Sequence, residues 1–117
     1  MIDARKGQVY FAQYTRRHHE LTLESMMHCM RPMDAVRLIK EPCIFIGDGA
    51  LAYQSLIQKE LGGSAVFPDM HHHIIKASIV ARLGFPLIRK EHQDSAASLV
   101  PEYVRPSDAE TARGSSG

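Results

Sequence analysis

Residues 43–63 read CIFIGDGALAYQSLIQKELGG, and the fold prediction starts from this stretch. Its first four residues are apolar and follow Pro42. Such a run between proline and glycine is typical of a strand that is buried on both faces. Apolar residues then recur at the three- and four-residue spacing of one helix face, at Tyr53, Leu56, Ile57 and Leu61. Gly62 and Gly63 can end that helix in the left-handed conformation, so we predict a strand, a glycine turn and a helix.

The turn between that strand and helix is Gly47-Asp48-Gly49, and it allows two interpretations. In open α/β sheets, ligands bind at the carboxyl ends of strands beside such turns. The amides that open a helix favour an anion, whereas the Asp48 carboxylate opposes one. The turn is neither GxGxxG nor a P-loop. The structural alternative, which these residues favour, is a tight turn with Asp48 or Gly49 as the helix cap.

The composition indicates a single intracellular domain. The chain has 117 residues, which suffices for one core, and 14 basic residues balance 13 acidic ones. This balance gives no strong basic field of the kind that binds nucleic acids. Cys29 and Cys43 form no CxxC pair and no secretory leader precedes them, which predicts reduced thiols and a cytoplasmic location. No apolar run reaches the length of a membrane span, so we expect no membrane partner.

The remaining segments predict an α/β fold with a mixed sheet and packed helices. A hairpin is expected over 1–14, with its turn at Arg5-Lys6-Gly7, followed by a polar loop over 15–20. Further strands are expected over 21–27 and 64–67, and helices over 30–40 and 72–83. The predicted order is βββαβα-βα. We expect the hairpin and the strand at Ile44 to share one sheet, with the helices from Ala50 and His72 packed on it.

The candidate reactive side chains do not form a recognisable catalytic or metal-binding set. His18-His19 and His71-His72-His73 are adjacent in sequence, whereas metal ligands on a helix need a spacing of three or four. We expect them to be solvated loop and helix-start residues. Cys43 opens an apolar strand, where cysteine serves as a small hydrophobe, and nothing orients Cys29. A GxSxG serine motif is absent. We therefore predict no catalytic residue and no metal site.

Three motifs, in order along the chain, resemble those of the TsaB family, also called YeaZ. The segment IDARKGQVY over 2–10 looks like its DAR-x-G-x-VY hairpin. Gly47-Asp48-Gly49-Ala50, followed by Tyr53, is similar to its GDGA segment. The segment PEYVR over 101–105 is similar to its C-terminal P-x-Y-(L/V)-R signature. The resemblance covers residues 1–110 as the C-terminal lobe of such a protein, and 111–117 is expected to be a flexible tail or cloning scar.

The resemblance implies one lobe of an actin/sugar-kinase/Hsp70-like, ribonuclease H-like fold, in a family also described as glycoprotease-like. It implies a non-catalytic scaffold subunit that helps to make threonylcarbamoyladenosine beside the tRNA anticodon. The implied partners are a TsaD-like transferase and a TsaE-like ATPase. Self-association is a separate expectation, from the apolar strand around Val9 and Tyr10. ATP then belongs to the complete complex, and tRNA is contacted only through it. The alternative is a glycoprotease-like peptidase or a nucleotide-hydrolysing enzyme of the same superfamily.

The resemblance also assigns roles to residues. In two-lobed actin-like folds the nucleotide lies between the lobes, so Gly47, Asp48 and Gly49 are candidates for one wall of that cleft. The family-motif residues expected to fix structure are Asp3, Arg5, Tyr10, Tyr103 and Arg105. We expect the tail to lie beside the hairpin, with Arg5 or Arg105 bonded to a carboxylate or a carbonyl. The apolar strand around Val9 and Tyr10 is expected to face another lobe or subunit.

Overall fold

The computed structural model describes residues 1–18, 20–89, 100–101 and 103–104, with side chains as far as Pro86 in the last helix. It is a mixed α/β structure built from short elements. The strands are β1 (Ile2–Arg5), β2 (Gln8–Phe11), β3 (Tyr14–Arg17), β4 (Glu20–Leu23), β5 (His28–Met30), β6 (Cys43–Ile44) and β7 (Ala65–Val66). The helices are α1 (Pro32–Arg37), α2 (Asp48–Ala52), α3 (Gln54–Leu61) and α4 (Ala77–Arg89).

The described strands form three small sheets: an antiparallel sheet in the order β1-β2-β5, an antiparallel pair β3-β4 and a parallel pair β6-β7. The β1-β2 connection passes through Arg5, Lys6 and Gly7, whose φ angles are +61°, +52° and +71°. The predicted positive φ at Gly7 is therefore confirmed. Strand β5 joins the far side of β2, with Tyr10 opposite Cys29.

The hairpin β3-β4 replaces the polar loop that we predicted over 15–20, so that prediction is wrong. Thr15 lies opposite Thr22 and Tyr14 opposite Leu23, and such cross-strand pairs of β-formers stabilise a two-stranded ribbon. His18 takes a φ of +57° at the tip. The strand predicted over 8–14 accordingly divides into β2 and β3. The strand predicted over 21–27 ends at Leu23, and the chain re-enters the first sheet as β5.

The core consists of two adjoining apolar clusters on either side of α1. Val9 and Phe11 of β2 pack with Ala35, while Val36 packs with Phe45, Ala50 and Ile57. Val9 and Ile57 have no solvent exposure. The expectation that the strand around Val9 presents a bare face is therefore wrong for Val9, because α1 covers it. The packing of α1 against α3 closes the second cluster.

The predicted strand over 43–46 is neither buried on both faces nor part of the hairpin sheet. Phe45 is buried, but Ile44 is 65% and Ile46 is 50% exposed. Strand β6 contains only two residues and pairs parallel with β7 alone. Phe45 instead stacks on Phe67, with ring centroids 5.6 Å apart. Ile44 and Ile46 lie on the same face of this segment, and that face is open to solvent; since β6 also pairs outside the hairpin sheet, the single-sheet prediction is wrong.

The helix predicted from Ala50 is interrupted at Tyr53, where α2 ends and α3 begins. Gly62 ends α3 as predicted and has a positive φ of +54°, but its ψ of −130° lies outside the left-handed helical region that we predicted. None of the described helices combines the length and apolar character needed to cross a bilayer.

Helix α4 begins and ends later than predicted and is not packed on a sheet. A 3-10 turn, Met70–His72, occupies the predicted helix start, and α4 runs through Gly84 and Pro86. A proline within a helix removes one backbone hydrogen bond and does not always end the helix. Among the described residues of α4, Gly84 is half-buried and the side chains of all the others are exposed. The prediction that the helix from His72 packs on the sheet is therefore wrong.

Candidate functional site

The first strand and the glycine turn are joined by backbone and carboxylate hydrogen bonds. The amino group of Met1 donates to the carbonyl oxygen of Ile46 (2.7 Å). Asp48 Oδ1 accepts from the amide of Asp3 (3.0 Å) and from the amide of Gly49 (2.8 Å). We call Met1–Asp3 together with Gly47–Gly49 the junction. It couples the start of β1 to the start of α2, two elements that are about 45 residues apart in sequence.

Both glycines of the junction are required by the close approach of β1. Gly47 has a φ of +103°, and a Cβ at this position would overlap the carbonyl oxygen of Met1. A Cβ at Gly49 would lie 2.7 Å from the carbonyl carbon of Ile2 and 2.8 Å from the amide nitrogen of Asp3. Only glycine lets two backbones pass this closely. The neighbour that explains these glycines is therefore another segment of the same chain.

Helix α2 is capped by Gly47, which corrects the prediction of Asp48 or Gly49. The carbonyl oxygen of Gly47 accepts from the amides of Ala50 (3.1 Å) and Leu51 (3.3 Å). Gly47 is extended with a positive φ, a conformation that a side chain disfavours, and no side chain caps the helix. Asp48 lies in the first turn, where its negative charge complements the helix dipole.

His73 fixes the other side of the glycine turn. It is 4% exposed, and its Nδ1 lies 3.1 Å from the carbonyl oxygen of Gly47 while its Nε2 lies 3.1 Å from that of Pro68. Both neighbours are acceptors, so a neutral ring donates to one of them and only the doubly protonated ring donates to both. The prediction of solvated histidines is wrong for His73, whereas His71 and His72 are exposed.

A cavity of about 270 Å³ lies beside the junction. Its lining is formed by Ile2, Gly47, Asp48, His73, Ile74 and Ile75. This volume is just below the range for small-molecule sites, roughly 300–1,000 Å³. The lining includes three isoleucine side chains and one carboxylate, that of Asp48. The negative charge of this carboxylate repels a phosphate group. In the part of the chain that the structure describes, no three His, Cys, Asp or Glu side chains converge to hold a metal ion.

The amino group of Met1 is partly buried at the junction. Desolvation lowers the pKa of this group, and the nearby negative charge of Asp48 opposes that shift. A lowered pKa means that the fold disfavours the charged amine. The hydrogen bond to Ile46 and the charge of Asp48 are what offset this cost in the folded chain.

The residues of the family motifs are only partly brought together. Asp3 joins the junction through its amide, and its carboxylate accepts from the amide of Arg5 (2.9 Å) and pairs with its guanidinium (3.2 Å). The Arg5 side chain is 87% exposed, so this local ion pair contributes less than about 1 kcal/mol. Tyr10 is half-buried between Ile2 and Cys29. Tyr103 is exposed and Arg105 lies outside the described residues, so the expected bond between tail and hairpin stays a prediction.

The two thiols lie in different surroundings. Cys29 Sγ is 3.7 Å from Gln8 Oε1, on the sheet that contains β2. Burial raises the pKa of the Cys43 thiol, which keeps it protonated at neutral pH. The thiolate is the nucleophilic form of cysteine, so Cys43 is suited to packing rather than to nucleophilic attack.

We therefore expect Cys43 to react slowly with iodoacetamide in the folded Cys29→Ser variant. Its alkylation rate should rise through a midpoint above the ordinary thiol pKa, and urea should return that midpoint to the ordinary value. Because the fold disfavours the thiolate, the free energy of unfolding should fall as the pH rises above the ordinary thiol pKa. Equal alkylation rates at pH 8 for the folded and urea-unfolded variant would contradict this assignment.

Asp48→Ala should lower the free energy of unfolding by about 1–3 kcal/mol, because the amides of Asp3 and Gly49 lose their acceptor. Asp48→Asn keeps an oxygen at this position and should cost less. Urea unfolding followed by circular dichroism measures both variants. Glu60→Ala, at an exposed acidic position of α3, is the matched control and should change stability by less than about 0.5 kcal/mol. Equal stability of Asp48→Ala and Glu60→Ala would show that the carboxylate does not secure the junction.

Comparisons of the chain with protein-family models, with curated proteins and with solved structures found no significant match. The function is accordingly inferred from the structure itself: from the junction, its cavity and the exposed apolar surfaces.

Proposed function

We propose that this chain is a non-catalytic accessory subunit similar to the TsaB family, and that it forms one lobe of an actin/Hsp70-like fold. The observation that carries the proposal is the contact between two of the three motifs. The hairpin motif and the GDGA motif meet where Asp48 accepts from the amide of Asp3 and where Gly49 leaves room for Ile2 and Asp3. Two motifs that secure each other's backbone fit a structural role better than a pair of catalytic segments would.

The junction itself favours a structural role for the glycine turn. Asp48 Oδ1 already accepts two backbone amides, and the faces of Gly47 and Gly49 that lack a side chain are covered by β1. A nucleotide that approached these glycines from the side of their missing Cβ atoms would collide with Met1 and Ile2. In the proposed role, Gly47–Gly49 contribute at most one wall of a cleft that a second lobe completes, and ATP acts in the complete complex.

Exposed apolar side chains support a role in binding another protein. Leu21 of β4 is 71% exposed and Leu83 of α4 is 67% exposed. A contiguous exposed apolar surface marks a site of protein association, and α4, with Ile79, Val80 and Leu83 exposed, carries such side chains close together. The proposed partners are a TsaD-like transferase and a TsaE-like ATPase in a cytoplasmic complex that makes threonylcarbamoyladenosine, with tRNA bound through the complex.

The test of this proposal is gel filtration of the purified chain with a bacterial TsaD-like transferase, combined with ATP and peptide turnover by the chain alone. We expect co-elution with the transferase, further association when a TsaE-like ATPase and ATP are added, and no turnover by the chain alone. Separate elution, together with ATP or peptide turnover that Asp48→Ala abolishes, would favour the enzyme alternative and contradict the proposal.

A further inference from the structure

One face of the parallel pair β6-β7 is apolar and open to solvent. Ile44 and Val66 are partners in the strand register, and Ile46 continues the same face; we call these three residues the outer face. Ile44 is 65%, Ile46 50% and Val66 49% exposed. The opposite face carries Phe45 and Phe67, which pack in the core. Because parallel sheets occur almost only with both faces covered, an element that covers the outer face is expected.

Helix α4 presents an apolar surface that matches this need. A helix that follows a parallel strand ordinarily packs back onto the sheet, and α4 is the first α-helix after β7. Ile79, Val80 and Leu83 share one side of α4, and we call them the α4 face; they are 41%, 57% and 67% exposed. The described part of the chain therefore contains an apolar sheet face that lacks a helix and an apolar helix face that lacks a sheet.

The charges beside these two faces are of opposite sign. Residues 41–48, around β6, and 62–69, around β7, contain no Lys or Arg. Their carboxylates, all exposed, are those of Glu41, Asp48 and Asp69. Residues 70–90, around α4, contain no Asp or Glu, and Arg82 lies beside the α4 face. Such complementarity favours association of the α4 face with the outer face.

The same charges disfavour a membrane as the occupant of both faces. An anionic bilayer attracts the basic segment around α4, but it repels the carboxylates that flank the outer face. A bilayer that held α4 would therefore leave the apolar sheet face in water. Packing of the α4 face on the outer face covers both surfaces in one contact.

The connection between β7 and α4 is fixed in an arrangement that keeps the helix off its own sheet. His73 is buried in this connection, and its ring nitrogens lie 3.1 Å from the carbonyl oxygens of Gly47 and Pro68. Helix α4 begins soon afterwards, at Ala77, and none of the described elements packs extensively against it. The described connection thus leaves the outer face open to a helix from another molecule.

We propose that two copies of this chain associate, with α4 of each copy packed on the outer face of the other. The contact is reciprocal, so the same pair of complementary surfaces is used twice around a two-fold axis. The apolar side chains supply affinity by excluding water, and Arg82 meets the carboxylates beside the outer face. This inference concerns an interface of the chain with itself and does not rest on the TsaD-like partner.

The test is disulfide cross-linking between two chains of different mass tag, both carrying Cys29→Ser and Cys43→Ala. One chain carries Leu83→Cys on the α4 face, and the other carries Ile44→Cys on the outer face. We expect oxidation of the mixture to join the two different chains. In the matched control, Leu21→Cys on β4 replaces Ile44→Cys; it is similarly exposed (71%) and should join little.

A chain that carries both Leu83→Cys and Ile44→Cys separates a second copy from an internal contact. At a concentration where the chain is dimeric, oxidation should give covalent dimers. A monomer closed by an internal disulfide would overturn the inference, because α4 would then cover its own sheet.

Sedimentation equilibrium of the chain alone measures the strength of the association. We expect Leu83→Ser and Val66→Ser each to raise the Kd of the dimer by about tenfold or more, as truncated interface anchors do. Leu38→Ser, at a 50% exposed leucine after α1, should leave the Kd unchanged. Arg82→Glu should also weaken the dimer, and its effect should shrink in high salt because salt screens exposed charges. All four positions are exposed, so circular dichroism should match that of the wild type.

Three results would overturn the inference. They are a strictly monomeric wild type at about 100 μM, well above the Kd of a weak specific dimer, a dimer unaffected by Leu83→Ser and Val66→Ser, and absence of the mixed disulfide. Binding of a monomeric chain to vesicles of phosphatidylcholine and phosphatidylserine that is lost in Leu83→Ser would do so as well, because α4 would then serve a membrane. None of these results bears on co-elution with the transferase, which tests the proposed function separately.

Discussion

Gly47→Ala is expected to lower the free energy of unfolding by more than about 3 kcal/mol, or to prevent folding of the chain. Two independent costs add at this residue. Its φ of +103° is a conformation that residues with a side chain rarely adopt, and its new Cβ would overlap the carbonyl oxygen of Met1. The obstacle is backbone rather than the end of a flexible side chain, so β1 would have to move away from the turn. Urea unfolding at neutral pH measures the loss.

Gly63→Ala is the matched control for this prediction. No atom lies within 4 Å of a Cβ placed at Gly63, and this residue does not have a positive φ. The control should therefore be neutral or slightly stabilising, because alanine restricts the unfolded chain more than glycine does. If Gly47→Ala and Gly63→Ala unfold at the same urea concentration, β1 does not contact the glycine turn as described here.

Ile57→Ala is expected to cost about 2–5 kcal/mol, which is the range for removing a fully buried aliphatic side chain. Ile57 lies on the inner face of α3 with no solvent exposure, in contact with the cluster that contains Val36 and Phe45. Its truncation leaves a cavity next to Val36 of α1, Phe45 and Ala50 of α2, and it weakens the packing that supports β6. The midpoint of urea unfolding reports this loss directly.

Ile44→Ala is the control of the same chemistry at an exposed site. Ile44 is 65% exposed on β6, so we expect a change of less than about 0.5 kcal/mol. A large cost for Ile44→Ala and a small one for Ile57→Ala would support the fold that the sequence pattern predicted, with residues 43–46 buried on both faces. It would contradict the core described here.

Helix α3 and its end were predictable because the spacing of apolar residues and the position of glycine act locally. Ile57 and Gly62 lie where the pattern placed them. The exposure of Ile44 was not predictable in this way. A short apolar run looks the same whether one face of the strand is covered or both are, and its burial depends on which distant segments pack on those faces. The split of the predicted strand at Ala12 likewise follows from β5 returning to pair with β2.

The candidate site was predictable in composition but not in geometry. The sequence identified Gly47, Asp48 and Gly49, and it favoured a structural role over ligand binding. It did not indicate that β1 passes over this turn, because that contact joins residues about 45 positions apart. His73 was missed because nothing in the sequence distinguishes it from His72. Its burial is decided by where the 3-10 turn Met70–His72 directs the next side chain.

The glycine turn makes its hydrogen bonds inside the fold, whereas apolar side chains of α4 and β4 are exposed, and this difference bears on the proposed function. The hydrogen-bonding capacity of the glycine turn is used within the fold, by Asp3, Gly49 and His73. Apolar side chains of α4 and β4 remain exposed to solvent. A domain of this kind stabilises its own turn internally and has surface left for association, which fits an accessory subunit better than a self-sufficient enzyme.

The most direct test of this account is sedimentation velocity of the chain mixed with a TsaD-like transferase at equal concentrations. The account predicts a faster-sedimenting complex that contains both proteins and that dissociates on dilution. Independent sedimentation of the two proteins at concentrations of about 100 μM, well above the Kd of a weak specific complex, would contradict the central claim that this chain is a partner-binding subunit.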